Sequence, residues 1–352
     1  MVLYGLVKME LGKTNINKRI KRIMAYTTVD KAKANMNVVT FTGNGSTNAV
    51  TGVGFQPDVV WLKSRSGAND NHVYDSLRGV TKYLRTESTD TEGTAATGLT
   101  SFDSDGFSLG SAGTTNASSA SMCSWNFKGG TTSGITQGSA NITPTSYTFN
   151  ANAGMSFVKY NGNGTTGGSI PHGLGIKPAM VWIKSMTDVN GWKVWHKDLQ
   201  NGYPLALNTT QATAADSNSI NTCDTEKVIT QGTHSVNENG DTYIMYAFAE
   251  KPGFSKAYTY TANGSQPRFI HCNFKPIWWI GKASSNGSES WTSYDNKREG
   301  YNPQNDRLFP NTTGTESNET LIDLVSNGIV IRDTSNGHLN YSNYTYVGMA
   351  FG

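Results

Sequence analysis

The chain is written in short runs of alternating apolar and polar residues, punctuated by Gly, Asn, Asp and Pro. This pattern predicts β-strands joined by tight turns. The same series of runs occurs three times. An alternating aromatic strand first closes on a glycine turn, at Thr40-Phe41-Thr42-Gly43-Asn44-Gly45, Lys159-Tyr160-Asn161-Gly162-Asn163-Gly164 and Thr259-Tyr260-Thr261-Ala262-Asn263-Gly264. A Pro-led apolar strand follows, from Pro57 to Lys63, Pro178 to Lys184 and Pro276 to Lys282, with six residues from Pro to Lys in every copy. After a polar loop comes a strand ending in aspartate: Val73-Tyr74-Asp75, His196-Lys197-Asp198 and Tyr294-Asp295. A turn recurs as Asp105-Gly106, Gln231-Gly232 and Asn327-Gly328. Each copy ends on an aromatic strand: Trp125-Asn126-Phe127, Tyr246-Ala247-Phe248 and Gly348-Met349-Ala350-Phe351.

Self-similarity at this period is the mark of a repeated domain. Asp-Gly and Asn-Gly tolerate the positive φ of a type I′ turn, so Phe102 to Leu109 and Leu324 to Ile331 read as hairpins. Pro57, Pro178 and Pro276 belong at strand heads, where a missing N–H costs no ladder bond. Roughly six to eight short strands per copy suit a two-layer sandwich. The expected fold is all-β: three tandem β-sandwich repeat domains, jelly-roll or lectin-like, behind a short basic N-terminal arm. The boundaries are 1–36 for the arm, 37–128 for repeat one, 129–152 for a Gly/Ser/Thr/Asn-rich linker, 153–250 for repeat two and 254–352 for repeat three. The long first junction reads as flexible or surface-hugging and the second, Glu250-Lys251-Pro252-Gly253, as tight. Repeats two and three are therefore expected to form a rigid pair, with repeat one placed independently.

Composition narrows the function. Charged residues make up 16% of the 352 and aromatics 11%, and the net charge is +3. Residues 1–36 hold eight Lys or Arg against two acids, so the arm carries +6 and the remainder −3. A nearly neutral body lacks the clustered cations of a nucleic-acid surface. Within the arm, Ile16, Ile20, Ile23 and Met24 alternate with Lys18, Arg19, Lys21 and Arg22, a short amphipathic helix pattern. It reads as a docking helix, as a membrane-surface or nucleic-acid arm, or as a leader ahead of a second initiator at Met24. Cys123, Cys223 and Cys272 lack disulfide or zinc spacing. Neither a signal peptide nor an apolar run long enough to span a bilayer is seen, so synthesis in the cytoplasm without membrane insertion is expected.

Candidate chemistry is sparse. Asp103-Ser104-Asp105-Gly106 resembles the opening of a calcium loop but lacks the closing Glu, and reads as a turn. Glu87, Asp90 and Glu92 are spaced like a glycosidase carboxylate pair, yet repeat two has Asn208-Thr209-Thr210-Gln211 there, so a solvated loop is expected. Asp75-x-x-Arg78 and Asp295-x-x-Arg298 read as capped turns, with Asp198 taken as the counterpart in repeat two. No His pairs with a nucleophile, and no Gly-rich loop opens a helix. No catalytic, metal or cofactor site follows. Trp61, Trp182, Trp278 and Trp279 sit in the apolar strand and read as core. Trp192, Trp195 and Trp291 lie by the polar loop that follows. They read as core, or else as the candidates for stacking on a glycan or for burial at a subunit contact.

The runs Gly52-Val53-Gly54-Phe55-Gln56-Pro57-Asp58, Asp75-Ser76-Leu77-Arg78-Gly79 and Ser101-Phe102-Asp103-Ser104-Asp105-Gly106-Phe107 resemble repeat units of large virion proteins of marine tailed phages. So do Pro171-His172-Gly173-Leu174-Gly175-Ile176-Lys177-Pro178 and Tyr243 to Phe254. The resemblance covers residues 24–352 and carries no catalytic residues. It implies a non-enzymatic virion structural protein, a tail fibre or receptor-contacting appendage, with a capsid decoration or head fibre as the nearest alternative. A glycan-binding lectin or polysaccharide-degrading enzyme is the contrasting class. Implied partners are other virion proteins, further copies of the chain (trimers are frequent among fibres) and a host surface glycan, with the virion, assembled in the host cytoplasm, as the location.

Overall fold

The computed structural model describes residue 29 and residues 31–265, 268–333 and 336–352. The amphipathic stretch at 16–24, with most of the 1–36 arm, lies outside them. The described chain is all-β, built from antiparallel sheets.

Three consecutive stretches, called lobes one to three, each build two sheets with the same central strand order, a larger and a smaller one in lobes one and two and two of four strands in lobe three, where the sheet with the Pro-led strand is counted as the larger. In lobe one the larger sheet runs Met36–Thr42, Ser121–Phe127, Val59–Ser64, His72–Asp75, Lys82–Arg85 and Gly93–Thr94. Its smaller sheet runs Asn48–Thr51, Gly106–Leu109 and Leu99–Asp103. Lobe two follows with Met155–Asn161, Thr242–Phe248, Met180–Ser185, Lys193–His196 and Leu205–Ala206 against Ser169–Pro171, Lys227–Thr230 and Ile220–Cys223. In lobe three, Ser255–Thr261, Thr345–Phe351, Trp278–Ala283 and Thr292–Asp295 face Arg268–His271, Gly328–Ile331, Ser317–Val325 and Gln304–Arg307.

Each Pro-led strand begins two residues after its proline, as expected, and all six of its residues are buried in every lobe. A strand covered on one face alternates buried and exposed; one that does not has both faces covered. One face looks into the lobe's own sandwich, through Val60 and Leu62, Val181 and Ile183, or Trp279. The other presents Val59 and Trp61, Met180 and Trp182, or Trp278 and Ile280, and all six belong to one central cluster shared by the three lobes. Phe127, Phe248 and Phe351 occupy the same register in the three sheets, opposite Val59, Met180 and Trp278. Their rings form a triangle with centroid separations of 5.6, 5.6 and 5.8 Å. Trp61 lies edge-on to both Trp182 at 5.8 Å and Trp278 at 6.2 Å. The lobes thus surround a pseudo-threefold axis. Burying each large apolar side chain contributes roughly 1.5–3 kcal/mol, and edge-to-face ring pairs add about 0.5–1.5 kcal/mol. No lobe can leave without exposing this cluster.

The structure corrects three expectations. Lobe one is not placed independently, because it shares the central cluster with both others. The 129–152 linker is ordered in its second half: Pro144–Asn150 pairs with Met155–Asn161 and adds an edge strand to lobe two. Tyr147 there packs on the lobe-two core, an apolar position hidden among Ser, Thr and Asn. The hairpins at Asp105-Gly106 and Asn327-Gly328 form as expected, but Gln231-Gly232 lies beyond the lobe-two hairpin. That hairpin turns around Asp224, whose carboxylate accepts the N–H groups of Glu226 and Lys227, both at 2.8 Å.

Because the central cluster is common property, Trp61→Ala is expected to cost about 3–5 kcal/mol and to lower the stability of the entire chain. Scanning calorimetry should show one transition moved to lower temperature. Separate transitions, with only one of them moved, would contradict a shared core.

Candidate functional site

The three tryptophans are buried, in line with their reading as core and against the alternative of stacking on a glycan. Trp192, Trp195 and Trp291 are 1%, 2% and 0% exposed. Trp195 belongs to the lobe-two sandwich core, with the Lys177 ammonium 5.3 Å from its ring centre. Trp192 and Trp291 sit where lobes of the same chain meet. Each backbone N–H donates to an Asn side chain, Asn208 or Asn311, at 2.9 Å. Each indole N–H crosses to the neighbouring lobe, Trp192 to the Arg85 carbonyl and Trp291 to the Ala206 carbonyl, both at 2.8 Å. Register places Asn71 at the equivalent position of lobe one. Its amide donates to the Pro310 and Thr312 carbonyls of lobe three, both at 3.0 Å.

These contacts close a ring: lobe one reaches lobe three, three reaches two, and two reaches one. The lysines that end the Pro-led strands repeat the circuit. Lys63 Nζ donates to Thr312 O at 2.8 Å, Lys184 to Thr89 O at 3.2 Å and Lys282 to Thr210 O at 2.6 Å. All three are fully buried, and burial pulls each ammonium down to about 8. Backbone bonds of 2.9 Å from Glu92 N to Met186 O, Thr213 N to Ser284 O and Glu316 N to Arg65 O mark the same three seams. Neither the lysines nor Asn71 stood out in the sequence as functional. The recurrence of Lys at the end of an apolar strand was the available signal.

Buried ion pairs sit at two of the seams. Arg78 Nε donates to Asp75 at 2.6 Å, and the Tyr246 hydroxyl of lobe two donates to the same carboxylate oxygen at 2.7 Å. Arg298 holds Asp295 at 2.6 Å and Glu316 at 2.9 Å, while Arg65 of lobe one binds Glu316 and Asp306. The Trp125 indole of lobe one donates to Asp295 at 3.3 Å. The structural counterpart of Asp75 and Asp295 in lobe two is His196, by register, and not Asp198. His196 Nδ1 accepts the Asp198 N–H, so Nε2 carries the proton and donates to the lobe-three carbonyl of Gly348 at 3.1 Å. Burial holds this ring neutral, down to about 4.

The remaining carboxylates divide by burial. Asp103 accepts the Ser101 and Ser108 hydroxyls, and Asp105 the Gly52 and Gly54 N–H groups, so both brace a turn. Asp90 pairs with Arg85, and Glu92 with Arg78 and Lys82. Glu87 departs from the solvated-loop expectation. It is largely desolvated, which pushes its carboxyl up to about 7. Asp188, Glu238 and Asp241 bring carboxylate oxygens within 4.8 Å of one another on the surface of lobe two. On the outside of lobe three, the Ser255–Thr261 edge has, among the described residues, no added strand of the kind that covers lobe two. A groove of about 390 Å³ lies along it, lined by Lys256, Tyr258, Arg268, Phe269 and His271, with Phe269 46% exposed.

Arg78→Met leaves Asp75 buried without its counter-charge and is expected to cost about 3–5 kcal/mol in urea unfolding, with Asp75→Asn plus Arg78→Met costing less. A second expectation concerns acid. Burial lowers His72, His196 and His338 from 6.5 to about 4. The unfolded chain therefore binds protons near pH 6.5 that the folded chain refuses until about pH 4. Their contribution is present above pH 6.5 and is lost as pH falls toward 4. Glu87, raised from 4.5 to about 7, works in the opposite sense, as do the upward-shifted carboxyls of Asp58, Glu289 and Asp306, while His172, also lowered by burial, adds to the histidine side. The melting temperature should fall between pH 6.5 and 5; a flat or rising profile would contradict this account.

No curated protein matches the chain, and no solved structure matches it. A family model described as Domain of unknown function (DUF7483) matches residues 31–352 and thus runs across all three lobes. The chain belongs to the DUF7483 family.

Proposed function

We propose that the protein is a non-enzymatic structural component of a tailed-phage particle, a receptor-contacting appendage, and that its lobes are three copies of one sandwich repeat. The observation that carries this reading is where the reactive side chains are used. The buried Asp, Arg, Lys and Trp residues shared between copies hold one lobe to the next, and the small cavity between lobes one and two, lined by Trp61, Trp182 and Trp192, is apolar. Chemistry spent on holding lobes together belongs to a scaffold. The resemblance of residues 24–352 to virion repeat units supplies the particle.

The closed ring bears on the form of that component. Tandem repeats joined end to end would supply length, whereas lobes packed around an axis make a block, suited to the tip or base of an appendage. A capsid decoration has the same need for a compact block and is the second reading. Contact with a host glycan or another virion protein falls to the outward loops and the open lobe-three groove, since Trp192, Trp195 and Trp291 are enclosed.

Antibody labelling of purified particles, read by cryo-microscopy, tests the proposal. The expected result is label on a tail appendage, while label on the head selects the decoration reading. Particles free of the protein, or polysaccharide hydrolysis by the purified chain, would overturn both.

A further inference from the structure

Lobe one departs from the other two at one paired position. In lobes two and three the residue ahead of the fourth-listed strand is Trp192 or Trp291, and the side chain receiving its backbone N–H is Asn208 or Asn311. Lobe one replaces both: Asn71 stands in the place of Trp, and Glu87 receives its N–H at 3.2 Å. The exchange puts a primary amide beside a buried lysine. Lys63 Nζ lies 2.7 Å from Asn71 Oδ1, and both residues are fully buried. Glu87 sits within Coulombic range of Lys63, and its Oε1 is buried without a hydrogen-bonding partner among the described residues.

We propose that Lys63 and Asn71 become joined by an intramolecular amide (isopeptide) bond, formed by the folded chain itself with Glu87 relaying the proton. The neutral Nζ lone pair attacks Asn71 Cγ, giving a tetrahedral centre. Glu87 takes a proton from Nζ and delivers it to Nδ2. The Cγ–Nδ2 bond then breaks, and the nitrogen leaves as ammonia. One C–N bond forms, one breaks, and nothing is oxidised or reduced. The requirements are those of any amine nucleophile: a neutral nitrogen, a near-attack position and an acid–base group of matched strength. Burial lowers Lys63 to about 8, so roughly one molecule in ten is neutral at pH 7, and Glu87 near 7 exists in both forms.

The surroundings accommodate the product. The new amide keeps one N–H for Thr312 O, which Lys63 already contacts at 2.8 Å. Pro310 O loses the Asn71 donor but retains the Thr86 hydroxyl at 2.7 Å. Lobes two and three provide internal controls. Lys184 donates to the Thr89 and Ser185 carbonyls and Lys282 to the Thr210 and Glu289 carbonyls, and among the described residues neither bonds an amide side chain. One bond is expected, not three. It would tie together two antiparallel neighbours of the same sheet, Val59–Ser64 and His72–Asp75, beside the seam with lobe three. This inference stands apart from the proposed function.

Intact mass measurement of the purified full chain under denaturing conditions tests it. The expected mass is lighter than the sequence by one ammonia, with a branched peptide joining residues 63 and 71 after proteolysis. Lys63→Arg, which keeps the cation, and Glu87→Gln should both return the full sequence mass. Folded wild-type protein at full mass would overturn the proposal, as would an ammonia loss that maps to any other residue.

Discussion

The constraint on which the structure depends is that the larger sheet of each lobe is apolar on both faces. A sandwich needs only one covered face, so a sheet with two must find a second partner. Here that partner is the same face of two other lobes. Trp61, Trp182 and Trp278, with the triangle of Phe127, Phe248 and Phe351, leave no solvent-facing side to the Pro-led strands. Three is the number that closes this arrangement, since each lobe meets both others at the axis.

Enclosing the sheets forces a second set of choices. Lys63, Lys184 and Lys282 are desolvated by the closure, and a buried cation is tolerated only when its donors are satisfied. Each donates to one main-chain carbonyl of the adjacent lobe and to a second acceptor in its own lobe, Asn71 Oδ1, Ser185 O or Glu289 O. Such bonds add less to net stability than to orientation, because a rotated lobe would leave a buried ammonium unmatched. The Asp-Arg turns act alike at two seams, while lobe two meets the same need with a neutral imidazole, His196. The tolerance of this position for different chemistry fits a role in joining.

Much of this was legible in the residues. The three-fold series of runs, the proline-headed strands and the Asp-Gly and Asn-Gly hairpins all lie where periodicity and turn chemistry place them. The closure was not, although its trace was present. Val59 to Ser64 is apolar without alternation up to its lysine, and that property marks a strand covered on both sides. Trp192 and Trp291 were assigned by the polarity of the loop before them, but burial is decided by what lies across the seam. The counterpart of Asp75 was placed two residues late, at Asp198, since a letter match cannot see that strand pairing puts His196 opposite Met180. Glu87 was read as solvated for a similar reason, its neighbours in sequence being polar while its neighbours in space belong to a seam.

The lobes are continuous in the polypeptide, with Pro144–Asn150 carrying the chain into lobe two and a few residues after Phe248 carrying it into lobe three. Tethering of this kind holds partners at an effective concentration on the order of millimolar, whatever the dilution of the protein. Lobe-to-lobe contacts need not be strong enough to assemble separate subunits. Lobes carried on one polypeptide are also free of the identity that a homotrimer imposes. Asn71 stands where the other lobes have Trp192 and Trp291, so a single seam can carry its own chemistry while the other two preserve the frame.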